Sequence, residues 1–175
     1  TLGAHHDAGK ATEGFQRRLE GGPRVDHSTA GAVLLGQRWE ASPSRQTAAL
    51  GTMLSRFLAY PILGHHGGLP DAGSEYGTGL DHRLAPGNIQ KLPSWDPAAI
   101  PLPASPMDVY QELLPLICKQ GRHPDPFRIC FALRMLFSCL VDADYLDTER
   151  FCTPDIYRLR PAVPALSPLA ARLED

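Results

Sequence analysis

The stretch SPSRQTAALGTMLSRFLAYPILGHHGG, residues 42–68, decides the fold class. Leu50, Met53, Leu54, Phe57 and Leu58 recur three and four apart, which gathers them on one face of a helix and does not fit the period-2 alternation of a strand. Ser42 and Pro43 read as N-cap and first helical position, and the helix is predicted to end near Gly64, with His65 and His66 at its C-terminal edge.

The same reading extends in both directions. Phe15 and Leu19 lie four apart in a short helix over 12–20 that stops at Gly21-Gly22, and Val33, Leu34 and Trp39 are the apolar residues of a helix over 26–40. Ser105-Pro106 opens a helix holding Tyr110, Leu113, Leu114 and Ile117, bent by Pro115 and closed by Gly121. The segment 126–147 is apolar on nearly every face and is expected at the centre of the bundle. Strand alternation is nearly absent, so the fold class is all-α. Between these helices, 67–105 carries Pro70, Pro86, Pro93, Pro97, Pro101 and Pro103 and reads as one long Pro/Gly-rich loop, a candidate gate because it follows the double histidine. The proline-rich 151–175 reads as a C-terminal extension or linker after a domain spanning 1–150.

At 175 residues and 43% hydrophobic content, the chain suits a single closed core. A net charge of -2 lowers the expectation of nucleic-acid binding by electrostatics alone, although Lys10, Arg17, Arg18 and Arg24 cluster near the first motif. Cys118, Cys130, Cys139 and Cys152 show no C-x-x-C pairing, so they are expected to be buried free thiols in a reducing cytoplasm. No apolar run is long enough to span a bilayer. Thr1 is not an initiator methionine, and a segment upstream of it is expected.

The chemistry-bearing residues come in series: His6-Asp7, Asp26-His27-Ser28, His65-His66-Gly67-Gly68, and Asp142-Ala143-Asp144 within the apolar helix. Imidazoles bind transition metals and carboxylates bridge ions, so the series reads as a site for one or two metals that activate water, and a metal-dependent phosphoesterase is the leading expectation. Each pair has a plainer reading. His5 competes with His6 for the role beside Asp7; His27 could belong to an N-terminal cap with Asp26 and Ser28; one of His65 and His66 could be a cation on a helix C-terminus. Gly9-Lys10 resembles a phosphate loop only superficially, because five residues separate it from Gly3 and Ala11 stands where a hydroxyl is needed. Lys10 is then either a cation beside a phosphodiester oxygen or a solvated surface lysine. Helical geometry stacks Asp144 with Phe137, Leu140 and Val141, where an ionised carboxylate demands a cation, while Asp142 lies on another face with Ser138 and Arg134.

Taken in order, GAHHDAGKAT from residue 3, DHSTAGA from 26, HHGGLPD from 65 and LVDADYLDTE from 140 resemble the HD-type nuclease domain of the CRISPR signature nuclease-helicase from type I systems. The resemblance implies an HD-domain helical bundle that binds one or two divalent transition metals (Mn, Fe, Co or Ni, with Mg possible) and cuts single-stranded DNA opened by a surveillance complex. It implies the ligands His6, Asp7, His27, His65, His66 and Asp144, with Asp7 bridging, His6 and Asp144 on one ion, and His27, His65 and His66 on the other. Asp7 and Lys10 become the catalytic candidates. The family's first histidine, on a helix upstream of the HD pair, has no counterpart here, nor has the helicase portion, which becomes an expected partner domain or subunit. Two other readings stay open: an HD phosphohydrolase acting on nucleotides or cyclic dinucleotides, and a non-catalytic docking module.

Overall fold

The computed structural model describes residues 1–42, 44–73, 77–89, 98, 100–119 and 123–161. Its helices are α1 (Leu2–His5), α2 (Glu13–Leu19), α3 (Ser28–Glu40), α4 (Arg45–Gly64), α5 (Leu80–Arg83), α6 (Pro86–Ile89), α7 (Pro106–Ile117), α8 (Pro126–Cys152) and α9 (Pro154–Arg158), with a 3₁₀ turn at Ala8–Ala11. Among the described residues there is no strand; one isolated bridge pairs Cys118 with Pro124. The all-α bundle follows from the periodic apolar faces. The chain divides into two compact units, 1–141 and 142–175.

In the first unit α4 is the central element. Leu54, Leu58, Ile62 and Leu63 on its inner face meet Ala32, Leu35 and Trp39 of α3, and Val109 and Leu113 of α7 extend the same core. The first turn of α3 enters directly into the interior, with Ser28 through Leu35 all buried. The helix is capped from outside by Asp26, whose Oδ1 accepts from the Thr29 backbone N–H at 3.2 Å. α4 is capped by Ser44, whose Oγ accepts from Thr47 N–H, and not by the expected Ser42; Pro43 lies outside the described residues. Ser105 and Pro106 open α7 as expected, and Ser105 Oγ accepts from Asp108 N–H. α7 ends at Ile117; the expected stop at Gly121 falls outside the described residues.

Two expectations need correction. The helix now called α8 is not the centre of the bundle: within the first unit it buries only Ala132 and Leu140, while Phe127, Phe131 and Met135 are 77%, 57% and 48% exposed. An apolar surface is buried only where another surface meets it, and the inner face of α4 is already filled by α3 and α7. For the same reason Cys130 and Cys139 on α8 are exposed free thiols, as is Cys152, and Cys118 is only half-buried. The long Pro/Gly-rich loop, as expected, holds no long regular element among its described residues. Within it α5 and α6 form, Leu80 is fully buried in the α4 core, and Asp81 pairs with Arg56 of α4. The end of the loop is fastened to α3, because Arg38 donates to the carbonyls of Ile100 and Pro101 and Trp39 Nε1 donates to Ala104 O. The described parts of this region are therefore anchored on α4 at one end and on α3 at the other.

The second unit holds the C-terminal turns of α8 and α9. Arg160 pairs with Glu149 and lies over the Tyr145 ring at 5.9 Å from its centroid. Among the described residues no helix is long and apolar enough to cross a membrane.

Ile62→Ala is expected to lower unfolding stability by about 2–5 kcal/mol through lost burial and the cavity left behind. Phe127→Ser should change it by no more than about 0.5 kcal/mol. Urea unfolding of both variants checks the ranking; a reversed order would mean α8 is covered in solution.

Candidate metal centre

The His6-Asp7 pair sits at the junction between α1 and the 3₁₀ turn, His6 closing the helix and Asp7 opening the turn. Two glycines bring this junction against α3. A Cβ on Gly31 would lie 1.9 Å from the His5 carbonyl oxygen, and one on Gly9 would lie 2.0 Å from the His27 carbonyl oxygen. Both are backbone-on-backbone contacts that no side chain permits. Gly9 thus serves close packing and makes no phosphate loop. Thr12 fixes the far end of the turn, donating Oγ1–H to Gly9 O at 2.7 Å and capping α2 by accepting from Phe15 N–H.

His5 and His6 part ways here. His5 is fully buried, its Nδ1 donates to Thr1 O at 2.9 Å, and its Nε2 accepts from Arg38 Nη1 at 3.2 Å. Burial pushes its imidazole below the ordinary histidine pKa, so it is neutral and committed to structure. His6 turns the other way, with Nδ1 donating to Gly3 O at 2.7 Å and Nε2 3.3 Å from Asp7 Oδ2.

Asp7 is the hub. Its Oδ1 faces His27 Nε2 at 3.3 Å and His65 Nε2 at 3.5 Å; its Oδ2 faces His6 Nε2 and receives the Lys10 ammonium. His66 Nε2 lies 3.0 Å from His27 Nε2. One nitrogen or oxygen from each of Asp7, His27, His65 and His66 falls within 4.8 Å of every other. Ligand atoms each about 2.0–2.2 Å from one ion lie at most about 4.4 Å apart, so a short inward shift would close the set on a single cation. Burial alone would raise the Asp7 carboxyl; N–H groups turned toward it from His27, His6 and His65, with the Lys10 ammonium, would more than offset burial and hold it far below the usual carboxylate range, a service that a bound cation would equally perform.

The protonation pattern tests the fit to a metal. A carbonyl oxygen only accepts, so His65 Nδ1, 2.7 Å from Ile62 O, carries a proton, as does His6 Nδ1. In the neutral rings each Nε2 then presents a lone pair toward an anionic carboxylate. Asp7 Oδ1 and His65 Nε2 are both buried, and neither has a hydrogen bond among the described residues. Lone pairs aimed at one another in a buried space need a positive charge between them. A metal ion meets that need, and a backbone carbonyl holding the second ring nitrogen is the usual support of a metal-binding histidine. The alternative of several imidazolium rings packed 4.0–5.6 Å apart, centroid to centroid, would be strongly repulsive.

The structure thus brings together Asp7, His27, His65 and His66 around one point, with His6 on the other carboxylate oxygen and Lys10 beside it. The alternative cap of Asp26, His27 and Ser28 is made through the Asp26 carboxylate, which leaves the His27 ring to face Asp7. Asp26 is itself held below the usual carboxylate range: burial raises it, and Thr29 and Arg83 outweigh the burial. Asp144 lies on α8 in the second unit. Sequence reasoning placed Phe15 only on a helix face, whereas its ring packs edge-on against His27 with centroids 5.2 Å apart, and it missed Arg83, which reaches the α3 cap.

A helical bundle that gathers a His-Asp pair with further histidines from two helix ends is an HD-type domain, a class that binds divalent metals and includes hydrolases. The family model described as Cas3, HD domain matches residues 1–114, and the chain belongs to that family of CRISPR-associated metal-dependent nucleases. Comparison with curated proteins and with solved structures returned no match.

Gly9→Ala must push the 3₁₀ turn off the His27 backbone. We expect a destabilisation of at least about 1–3 kcal/mol, read as a lower melting temperature, whereas Gly3→Ala, with open space around it, should leave the melt unchanged.

Proposed function

We propose that the chain hydrolyses phosphodiester bonds of single-stranded DNA in CRISPR antiviral defence, by water activated at one or two divalent metals. The observation that carries this reading is the split of the Asp7 carboxylate, with Oδ1 toward His27 and His65 and Oδ2 toward His6. That arrangement suits a bridging ligand between two ions. His27, His65 and His66 would hold one ion, and His6 with Asp144 the other, Asp144 being assigned by the family resemblance and its place in the helical register. On this assignment the nuclease domain extends to about residue 150, past the matched region, and 151–175 is the extension.

When bound, the metals would lower the pKa of water and neutralise charge on the phosphoryl oxygens. The chain's own groups do the rest. His6 and His65 keep their Nε2 lone pairs directed inward through the Gly3 and Ile62 carbonyls. Asp7 stays anionic throughout the neutral range. Lys10, 41% exposed and resting on Asp7 Oδ2, would turn to a phosphodiester oxygen once a cation took over that carboxylate. The exposed His66 edge and half-buried Asp7 leave the site open to solvent on one side, which suits a polymer strand better than an enclosed nucleotide. The strand would be delivered by a surveillance complex and a helicase domain or subunit. Manganese, iron, cobalt and nickel all suit this ligand set.

The test is cleavage of single-stranded DNA by the purified chain titrated with each of these metals and magnesium. We expect metal-dependent cutting that chelation abolishes and that Asp7→Ala reduces to background with unchanged circular dichroism. Hydrolysis of free nucleotides or cyclic dinucleotides with the strand left intact would overturn the proposed substrate. Unchanged cutting by Asp7→Ala would overturn the proposed centre.

A further inference from the structure

Arg83 links the two segments that supply the histidines on the Oδ1 side of Asp7. Its Nη2, with two N–H groups to share, lies within hydrogen-bond distance of Asp26 Oδ1 and Oδ2 at 3.0 and 2.9 Å, Ser28 Oγ at 2.8 Å and Thr29 Oγ1 at 2.8 Å, and its Nε reaches Thr29 Oγ1 at 3.1 Å. Nη1 donates to the carbonyl of Leu63 at 2.8 Å. Asp26 directly precedes His27, and Leu63 lies two residues before His65. One guanidinium thereby joins the capped N-terminus of α3 to a carbonyl in the last turn of α4, where helix carbonyls have no partner within the helix.

Arginine suits this place because its planar fork carries five donors in fixed directions, which a single ammonium cannot reproduce. The fork is itself held rigidly. Leu80, three residues earlier, is fully buried, its N–H donates to Asp71 O at 2.7 Å, and neighbouring Asp81 pairs with Arg56. The Arg83 side chain is only 18% exposed.

We propose that Arg83 is a positioning residue for the metal centre, setting the separation between His27 and the His65-His66 pair by clamping the ends of α3 and α4 together. The inference rests on the metal-binding reading and goes beyond it. Arg83 touches none of the candidate ligands, so its effect must pass through helix placement to the geometry of the cation site. An ion that needs its ligands within a few tenths of an ångström is more sensitive to that placement than the fold is.

The experiment is titration of the full chain with cobalt(II), following the visible absorption of the bound ion, alongside thermal melts. Arg83→Met should weaken cobalt binding about 10–100-fold, the range for loss of a supporting partner, and alter the absorption band. Arg83→Lys should restore only part of the loss. Leu113→Ala, a core truncation away from the site, should lower the melting temperature while leaving cobalt affinity and spectrum as in the parent. If Arg83→Met does not fold, Thr29→Val, which removes one acceptor of the fork, is read in its place and should weaken cobalt in the same direction. Parent-like affinity and spectrum in the Arg83 or Thr29 variant would overturn the inference alone, as would a loss in Leu113→Ala equal to that in Arg83→Met. A parent chain that binds no cobalt would overturn the metal reading together with it.

Discussion

A half-buried carboxylate faced by three imidazole nitrogens, two of which carry no proton toward it, cannot be a comfortable arrangement on its own. Asp7 is in that position, with His27 and His65 at 3.3 and 3.5 Å from one oxygen and His6 at 3.3 Å from the other. Two of these rings have their protons drawn to the opposite side by backbone carbonyls. The missing ingredient is positive charge, of which Lys10 supplies one unit on the solvent side. The rest of the first unit makes sense as a frame that holds these groups in place against their mutual repulsion.

That frame is built from helix ends. His6 closes α1, His27 precedes α3, and His65 closes α4, so these three histidines sit at helix ends, where backbone groups can be turned to other uses. Gly9 and Gly31 let backbone meet backbone without a side chain between them, and the α3–α4 core keeps the two histidine-bearing ends side by side. Arg83 fastens those same ends from a segment that follows α4 by about one and a half dozen residues.

Much of this was legible because it is local. The helical period of Leu50 to Leu58, the Ser105-Pro106 start and the clustering of His, Asp and Gly in short motifs all act over a few residues, so the sequence displays them. What stayed hidden depends on distant partners. Arg83 meets Asp26 across 57 positions, and nothing in its neighbours marks it. α8 was misjudged for the related reason that hydrophobic character records the capacity to be buried, while burial itself requires a facing surface; Phe127 and Phe131 find chiefly one another, stacked with centroids 6.4 Å apart. The choice between His5 and His6 likewise turned on Arg38, a helix away, which occupies the His5 ring.

The most direct measurement is an anomalous difference map from crystals of the chain soaked in manganese. This account predicts a peak enclosed by Asp7 Oδ1 and the Nε2 atoms of His27, His65 and His66. A map with no peak there, in crystals whose histidine rings and Asp7 keep the arrangement described, would contradict it.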